Sequence, residues 1–155
     1  MSEYIYVHLI DKRAIGTSLK SIPLHMTVLH WFETDQTREV VVSRAKAALN
    51  GLKKVTTHAT HEDMFGAQRD IPVMRLERNI GLLNLHTALL GAMEDLGASF
   101  DRRWTGSNNY SQHVTHKLGG RLAAGEFVVV GDVDVISRDT PNSERVILDR
   151  FVLGS

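Results

Sequence analysis

The segment Pro23–Phe32, PLHMTVLHWF, is apolar enough to be a buried strand, yet it carries a histidine and a threonine. His25 and Thr27 are two residues apart, and residues i and i+2 of a strand point to the same face. An imidazole and a hydroxyl therefore stand side by side where a core strand ordinarily carries apolar groups. The pair requires an explanation, and a partner elsewhere in the chain would supply one.

The composition predicts a single domain over residues 1–155 and excludes several classes of function. The formal net charge is +0, whereas proteins that bind long RNA or DNA normally carry a basic excess. The chain has no cysteine, so disulfides and thiolate metal sites are excluded. The N-terminal stretch has neither a basic n-region nor a long apolar run, so we expect no membrane contact and a cytoplasmic location, in the host cytoplasm if the protein is viral.

Hydrophobic periodicity predicts an α+β chain whose two halves each contain several strands and one helix. The first helix is expected between Thr34 or Asp35, as its N-cap, and Gly51, and the second from Ile80 to Leu96. The predicted strands are YIYVHLI, the opening segment, KKVTTHATHEDMFG, IPVMRLER, YSQHVTHKL, and a hairpin formed by EFVVVGDVDVIS and ERVILDRFVL.

The tripeptide His25-Met-Thr27 recurs in the second half as His113-Val-Thr115. Two imidazoles on opposite sides of a phosphorus atom suit phosphodiester cleavage: one accepts a proton from the attacking oxygen, and the other donates a proton to the leaving oxygen. The threonine hydroxyls can donate to the non-bridging phosphate oxygens. This chemistry requires no metal and no cofactor.

A third copy, His58-Ala-Thr60, lies in a polar stretch that suits an exposed edge strand, so we expect it to lie outside the site. The eight histidines also raise the alternative of a metal site. Their spacing matches no usual ligand set, and no metal site is predicted.

Two His-x-Thr motifs, one in each half of a small α+β chain, resemble the 2H phosphoesterase superfamily. That group includes bacterial 2′–5′ RNA ligase-like proteins, cyclic phosphodiesterases, and phage proteins that cleave cyclic nucleotide signals of host defence. The resemblance covers most of the chain and maps the family's two motifs onto residues 25–27 and 113–115. It implies two pseudo-symmetric lobes, roughly 1–80 and 81–155, with antiparallel sheets lining a central cleft and helices outside.

The resemblance implies a metal-independent phosphodiesterase that acts on a small nucleotide or short oligonucleotide. The candidate bonds are a 2′,3′-cyclic phosphate, a 2′–5′ linkage and a linkage in a cyclic oligonucleotide signal. Two alternatives stay open: a non-catalytic nucleotide- or RNA-binding module, and a 2′–5′ RNA-end ligase. Which histidine is the acid and which the base also stays open.

Five further residues are candidates for substrate binding. Lys117 shares a strand face with Thr115, and Arg75 could hold a second phosphate. Trp104 and Tyr110 flank a Gly/Asn loop before the second motif, where an aromatic ring could stack on a base. Tyr6 lies on the first strand, which neighbours a motif strand in the fold of the family.

Overall fold

The structure is a computed structural model that describes residues 2–117 and 120–155. Within these ranges the chain forms ten strands and two helices, in the order β1 (Glu3–Leu9), β2 (Ser18–Leu19), β3 (His25–Glu33), α1 (Arg38–Leu49), β4 (Val55–Phe65), β5 (Ile71–Leu76), α2 (Ile80–Glu94), β6 (Ser99–Phe100), β7 (His113–Thr115), β8 (Phe127–Val130), β9 (Asp132–Arg138) and β10 (Arg145–Val152). All pairs between these strands are antiparallel, which confirms the predicted α+β class. Neither described helix is long and apolar enough to cross a membrane.

The strand order is β2-β10-β9-β1-β3-β7-β5-β4-β8, with β6 paired to β3. The junction between β3 and β7 lies at the centre of this order, with the hairpin of β9 and β10 on the β3 side and the hairpin of β4 and β5 on the β7 side. The lobes do not coincide with the two halves of the sequence. β4 and β5 belong to the first half of the sequence, before residue 80, but lie beside β7 of the second half. β9 and β10 belong to the second half but extend the sheet beyond β1 of the first half. The lobes differ from the halves because β1 and β9, which come from different halves, pair with each other. Both strands are buried along almost their whole lengths in this pairing.

The predicted strand over residues 126–137 is interrupted at Gly131. β8 pairs with β4 at one end of the sheet, whereas β9 pairs with β1 and β10 in the other lobe. The hairpin of β9 and β10 was predicted correctly, but β8 is not part of it. Gly131 is thus the point where the chain crosses from one lobe to the other.

Both helices cover the same face of the sheet. The N-cap of α1 is Thr37, which accepts a hydrogen bond from the amide of Val40, rather than Thr34 or Asp35. Thr34 instead donates to the carbonyl of Leu96 at 3.2 Å, which fixes the chain ahead of the helix. The buried helix residues that pack on the sheet are Val41, Ala45, Leu49, Leu82, Leu85, His86, Leu89, Leu90 and Met93.

A second, smaller apolar cluster lies on the opposite face of β1, β9 and β10. Its buried members are Ile5, Val7, Leu9, Ile22, Ile136 and Ile147. This cluster forms the floor of one lobe on the side of the sheet that the helices leave open. The candidate site lies on this open face.

Candidate active site

The two His-x-Thr motifs meet where β3 pairs with β7. Met26 is the direct partner of Val114, and both side chains are completely buried on the helix side of the sheet. Strand alternation therefore turns the histidine and threonine of each motif to the open face. Because the strands are antiparallel, each histidine lies opposite the threonine of the other motif. The four side chains His25, Thr27, His113 and Thr115 line one cavity of about 230 Å³.

The two motif histidines have the same hydrogen-bond arrangement. Nδ1 of His25 donates to the carbonyl of Pro23 at 2.8 Å, and Nδ1 of His113 donates to the carbonyl of Ser111 at 2.8 Å. A carbonyl oxygen only accepts, so the proton of each neutral ring lies on Nδ1. Nε2 of each ring is then the atom that accepts or donates a proton in the cleft.

Burial favours the neutral form of both motif histidines. Burial lowers the pKa of His25 to about 4, although its hydrogen bond to Pro23 opposes that effect. Burial also lowers the pKa of His113, and the nearby Arg75 guanidinium lowers that pKa further. A phosphate anion beside either ring favours the protonated form and raises its pKa. The substrate can therefore help to charge the histidine that acts as the acid.

Irregular pairing of β3 brings two unexpected side chains to the cleft. Between Thr27 and Leu29, the register advances two residues on β3 but one on β1, which makes Val28 an extra residue. A second register shift follows Leu29. His30 and Trp31, although consecutive, consequently both line the cavity. The sequence did not indicate these two residues as part of the site, because regular strand alternation gives no sign of a bulge.

A buried histidine supports the bulge from the helix side. Nδ1 of His86 donates to the carbonyl of Val28 at 2.7 Å, and its Nε2 accepts from the amide of Gly106 at 3.0 Å. The ring stacks on Tyr110 with centroids 4.1 Å apart. The hydroxyl of Tyr110 in turn donates to the carbonyl of Thr27 at 2.8 Å. These contacts fasten the loop before the second motif to the backbone of the first.

Two predicted substrate-binding residues lie away from the cleft. Tyr110 is only 8% exposed and is occupied by the contacts just described, so no face of it is offered to a base. Tyr6 is completely buried on the helix side, where its hydroxyl donates to the carbonyl of Val41 at 3.3 Å. Strand alternation places Ile5, not Tyr6, at the cleft.

Arg75 lies beside the second motif, opposite His113 in the pairing of β5 with β7. Its guanidinium donates to Asp63 at 2.7 Å and to Ser111 at 3.1 Å. It also lies 4.8 Å from the centre of the Phe65 ring, which meets His113 edge-on at 4.6 Å. Arg75 therefore supports the second motif but has its charge partly neutralised by Asp63.

Trp104 extends this aromatic group along the edge of the cleft. Its ring lies 5.7 Å from His30 and 6.5 Å from Phe65, close to parallel with both. It is half-buried and touches a cleft residue without lining the cavity itself. Phe65 was not singled out from the sequence, because a single aromatic residue at the end of a polar strand carries no signal.

The described cavity lining contains the cations Lys117 and Arg145 and no carboxylate. Among residues 2–117 and 120–155, no three histidine, aspartate or glutamate side chains are grouped so as to hold a metal ion. The third motif copy lies elsewhere: His58 packs against Phe127 on β8 and lies 3.7 Å from the carboxylate of Glu77. It is not among the residues that line the cleft.

Two lobes of antiparallel sheet, with a central cleft and helices outside, form the α+β architecture that the resemblance of the motifs implied. Escherichia coli LigT, in the structure complexed with NADP+, is similar over 99% of this chain and 98% of that one, with a TM-score of 0.63 and 12% identity. The protein TT0787 of Thermus thermophilus is similar over 100% of both chains, with a TM-score of 0.63 and 13% identity. A structure described as a phosphoesterase is similar over 99% of both, with a TM-score of 0.60 and 12% identity.

No family model matches the sequence, and no curated protein matches it significantly. The likeness is thus one of fold: the chain has a LigT-like fold.

Proposed function

We propose that this protein is a metal-independent phosphodiesterase in which His25 and His113 act as the general acid and the general base. The pairing of Met26 with Val114 is the observation that carries the proposal. It turns both motifs to one cavity and sets each histidine beside the threonine of the other motif. Such a constellation offers two proton-exchanging nitrogens and two hydroxyl donors to a single phosphate.

The proposed reaction moves two protons. Nε2 of the neutral histidine takes the proton of the attacking oxygen, which is a 2′-hydroxyl or a water molecule, as that oxygen bonds to phosphorus. Nε2 of the protonated histidine gives its proton to the leaving oxygen as the old P–O bond breaks. Thr27 and Thr115 donate hydrogen bonds to the non-bridging oxygens and stabilise the charge that develops there.

The cleft supports a small nucleotide or short oligonucleotide as the substrate. Its volume is about 230 Å³, and its described lining includes cations but no carboxylate, which favours an anion. The protein has no net charge with which to bind a long nucleic acid. Structures of LigT are described as complexes with 3′-AMP, ATP and phosphate. A 2′,3′-cyclic phosphate, a 2′–5′ linkage and a cyclic oligonucleotide are the substrates to compare, and the proposed location is cytoplasmic.

A nucleotide panel incubated with the protein in EDTA, with products identified by mass spectrometry, tests this function. The panel contains nucleoside 2′,3′-cyclic phosphates, matched 2′–5′ and 3′–5′ dinucleotides, and cyclic di- and trinucleotides. We expect cleavage of at least one class without added metal. Binding without turnover would instead support a binding module, and joining of RNA ends would support a ligase.

A further inference from the structure

Two cations in the cleft have no carboxylate partner among the residues that line it. Lys117 lies just beyond the second motif, and Arg145 is the first residue of β10. Other arginines near the site are neutralised: Arg75 pairs with Asp63, and Arg138 pairs with Glu3 at 3.0 Å. The cleft therefore holds positive charge in a chain whose formal net charge is zero.

Arg145 is held in place without being neutralised. Its guanidinium donates to the carbonyl of Ser143 at 2.7 Å and to the carbonyl of Pro141 at 3.1 Å. Its sequence neighbour Glu144 is bonded to Ser18 instead, at 2.6 Å. Carbonyl oxygens orient a guanidinium but leave its full charge available to a ligand.

Lys117 and Arg145 repel one another. Burial lowers the pKa of Lys117, and the charge of Arg145 lowers it further. A like-charged pair in a partly buried cleft is unfavourable until an anion lies between the two charges. The arrangement is thus suited to binding a phosphate group, in addition to the phosphate at the motif side chains.

A second cavity adjoins the cleft at Lys117. Ser21, Ile22 and Lys117 line both the cleft and a neighbouring cavity of about 520 Å³. Arg13 lies in that second cavity, where Asp11 pairs with it at 2.5 Å. A substrate that extends past the motif side chains in this direction would pass Lys117 and find room for another nucleotide unit.

We propose that Lys117 and Arg145 bind a second phosphate of the substrate, so that the preferred substrate carries a phosphate besides the one that is cleaved. The inference rests on the proposed function and narrows its substrate class. It favours phosphorylated or cyclic oligonucleotides over a nucleoside 2′,3′-cyclic phosphate, which has a single phosphate.

Matched dinucleotides test this inference. The linkage cleaved in the panel is offered in a dinucleotide with no terminal phosphate, with a 5′-phosphate, or with a 3′-phosphate. One terminal phosphate should raise kcat/KM of the wild-type protein on the order of 10–100-fold, the value expected of hydrogen bonds between charged groups. The ratio of kcat/KM with the terminal phosphate to kcat/KM without it should fall toward one in Arg145→Gln and in Lys117→Gln. Circular dichroism checks that both variants are folded.

Arg44→Gln, which changes an exposed arginine on α1 outside the cleft, should keep the wild-type ratio. The inference is overturned if neither phosphate raises kcat/KM, or if the advantage persists in Arg145→Gln. If no dinucleotide is cleaved, the proposed function fails for these substrates, and titration calorimetry with the same ligands decides the inference. The inference is supported if the wild-type protein binds a phosphorylated dinucleotide more tightly than the unphosphorylated one and Arg145→Gln loses this difference. Equal affinities of the wild-type protein for the two dinucleotides contradict it.

Discussion

The hydroxyl of Tyr110 donates a hydrogen bond of 2.8 Å to the carbonyl oxygen of Thr27. Tyr110 lies three residues before the second motif, and Thr27 belongs to the first, so this bond connects the two halves of the site beneath the cleft. β7 is only three residues long and provides a single direct partner pair with β3. Side chains therefore supply part of the contact between motifs that a longer strand would supply through its backbone.

Removing this hydroxyl should disturb both stability and turnover. Tyr110→Phe leaves the carbonyl of Thr27 without this donor, which we expect to lower the free energy of unfolding by about 1–3 kcal/mol. It should also lower kcat, because Thr27 is a proposed donor to the phosphate. Tyr6→Phe removes another buried hydroxyl, bonded to Val41 outside the cleft, and is the matched control. Urea unfolding and kcat measured on both variants check this, and an unchanged kcat in Tyr110→Phe would show that the bond has no positioning role.

Stability should fall as the solution is acidified from about pH 6.5 to pH 4. Burial lowers the pKa values of His25, His30, His86 and His113, that of His25 to about 4. Histidines in the unfolded chain take up protons near pH 6.5. The unfolded state therefore binds more protons than the folded state between about pH 6.5 and pH 4. The contribution of these histidines to the free energy of unfolding, which is fully present above pH 6.5, is lost as the pH falls.

Urea unfolding at several pH values between 7.5 and 4.5 measures this dependence. His25→Asn should reduce the slope, because it removes the histidine whose pKa is lowered to about 4. His61→Asn changes an exposed histidine on β4 and is the control. A free energy of unfolding that is constant or rises on acidification would contradict the neutral, buried state of these rings.

The same pKa shifts determine the expected pH–rate profile. The base must be neutral, and burial lowers the pKa of both motif histidines, so the rising limb of kcat/KM should lie below pH 6.5. The acid must be protonated, and bound phosphate raises its pKa, so the falling limb of kcat should lie at higher pH than that of kcat/KM. The two apparent pKa values read from the profile belong to the coupled pair of histidines rather than to either residue alone. An activity that only increases up to pH 9 would argue against a protonated histidine.

Local patterns in the sequence were enough to predict the helices, most strands and the two motifs. Periodicity identified α1 and α2 because one face of each packs on the sheet. The repeated tripeptide indicated His25 and His113 because each half of the chain carries one copy in a strand. The resemblance carried by those motifs supplied the two-lobed arrangement that the structure shows.

Features that depend on pairing between distant strands could not be predicted in this way. The bulge at Val28, which brings His30 and Trp31 to the cleft, arises from the register with β1. Arg145 reaches the cleft only because β10 joins the sheet beside β9, more than a hundred residues from the first motif. Tyr6 was a candidate because the first strand neighbours a motif strand, but the sequence did not show which face of β1 turns to the cleft.

The third His-x-Thr copy tests whether a motif histidine must lie in the cleft to contribute to turnover. His58→Ala should leave turnover close to that of the wild-type protein, because His58 contacts Phe127 and Glu77 at the β8 end of the sheet rather than the cleft. Circular dichroism checks the fold, and kcat/KM on the best substrate of the panel gives the comparison. A loss as large as that of a motif histidine would show that His58 takes part in catalysis and would contradict the assignment of the pair to His25 and His113.

Turnover in EDTA by His25→Ala, His113→Ala and the double variant tests the two-histidine mechanism most directly. Each single change removes one proton-transfer role, and we expect a decrease in kcat of the order of 10²–10⁴ with the fold retained, since no large apolar group is lost. The double variant should be at least as impaired as either single variant. A double variant with near-normal kcat, or wild-type activity that disappears in EDTA and returns with a divalent metal, would contradict the mechanism.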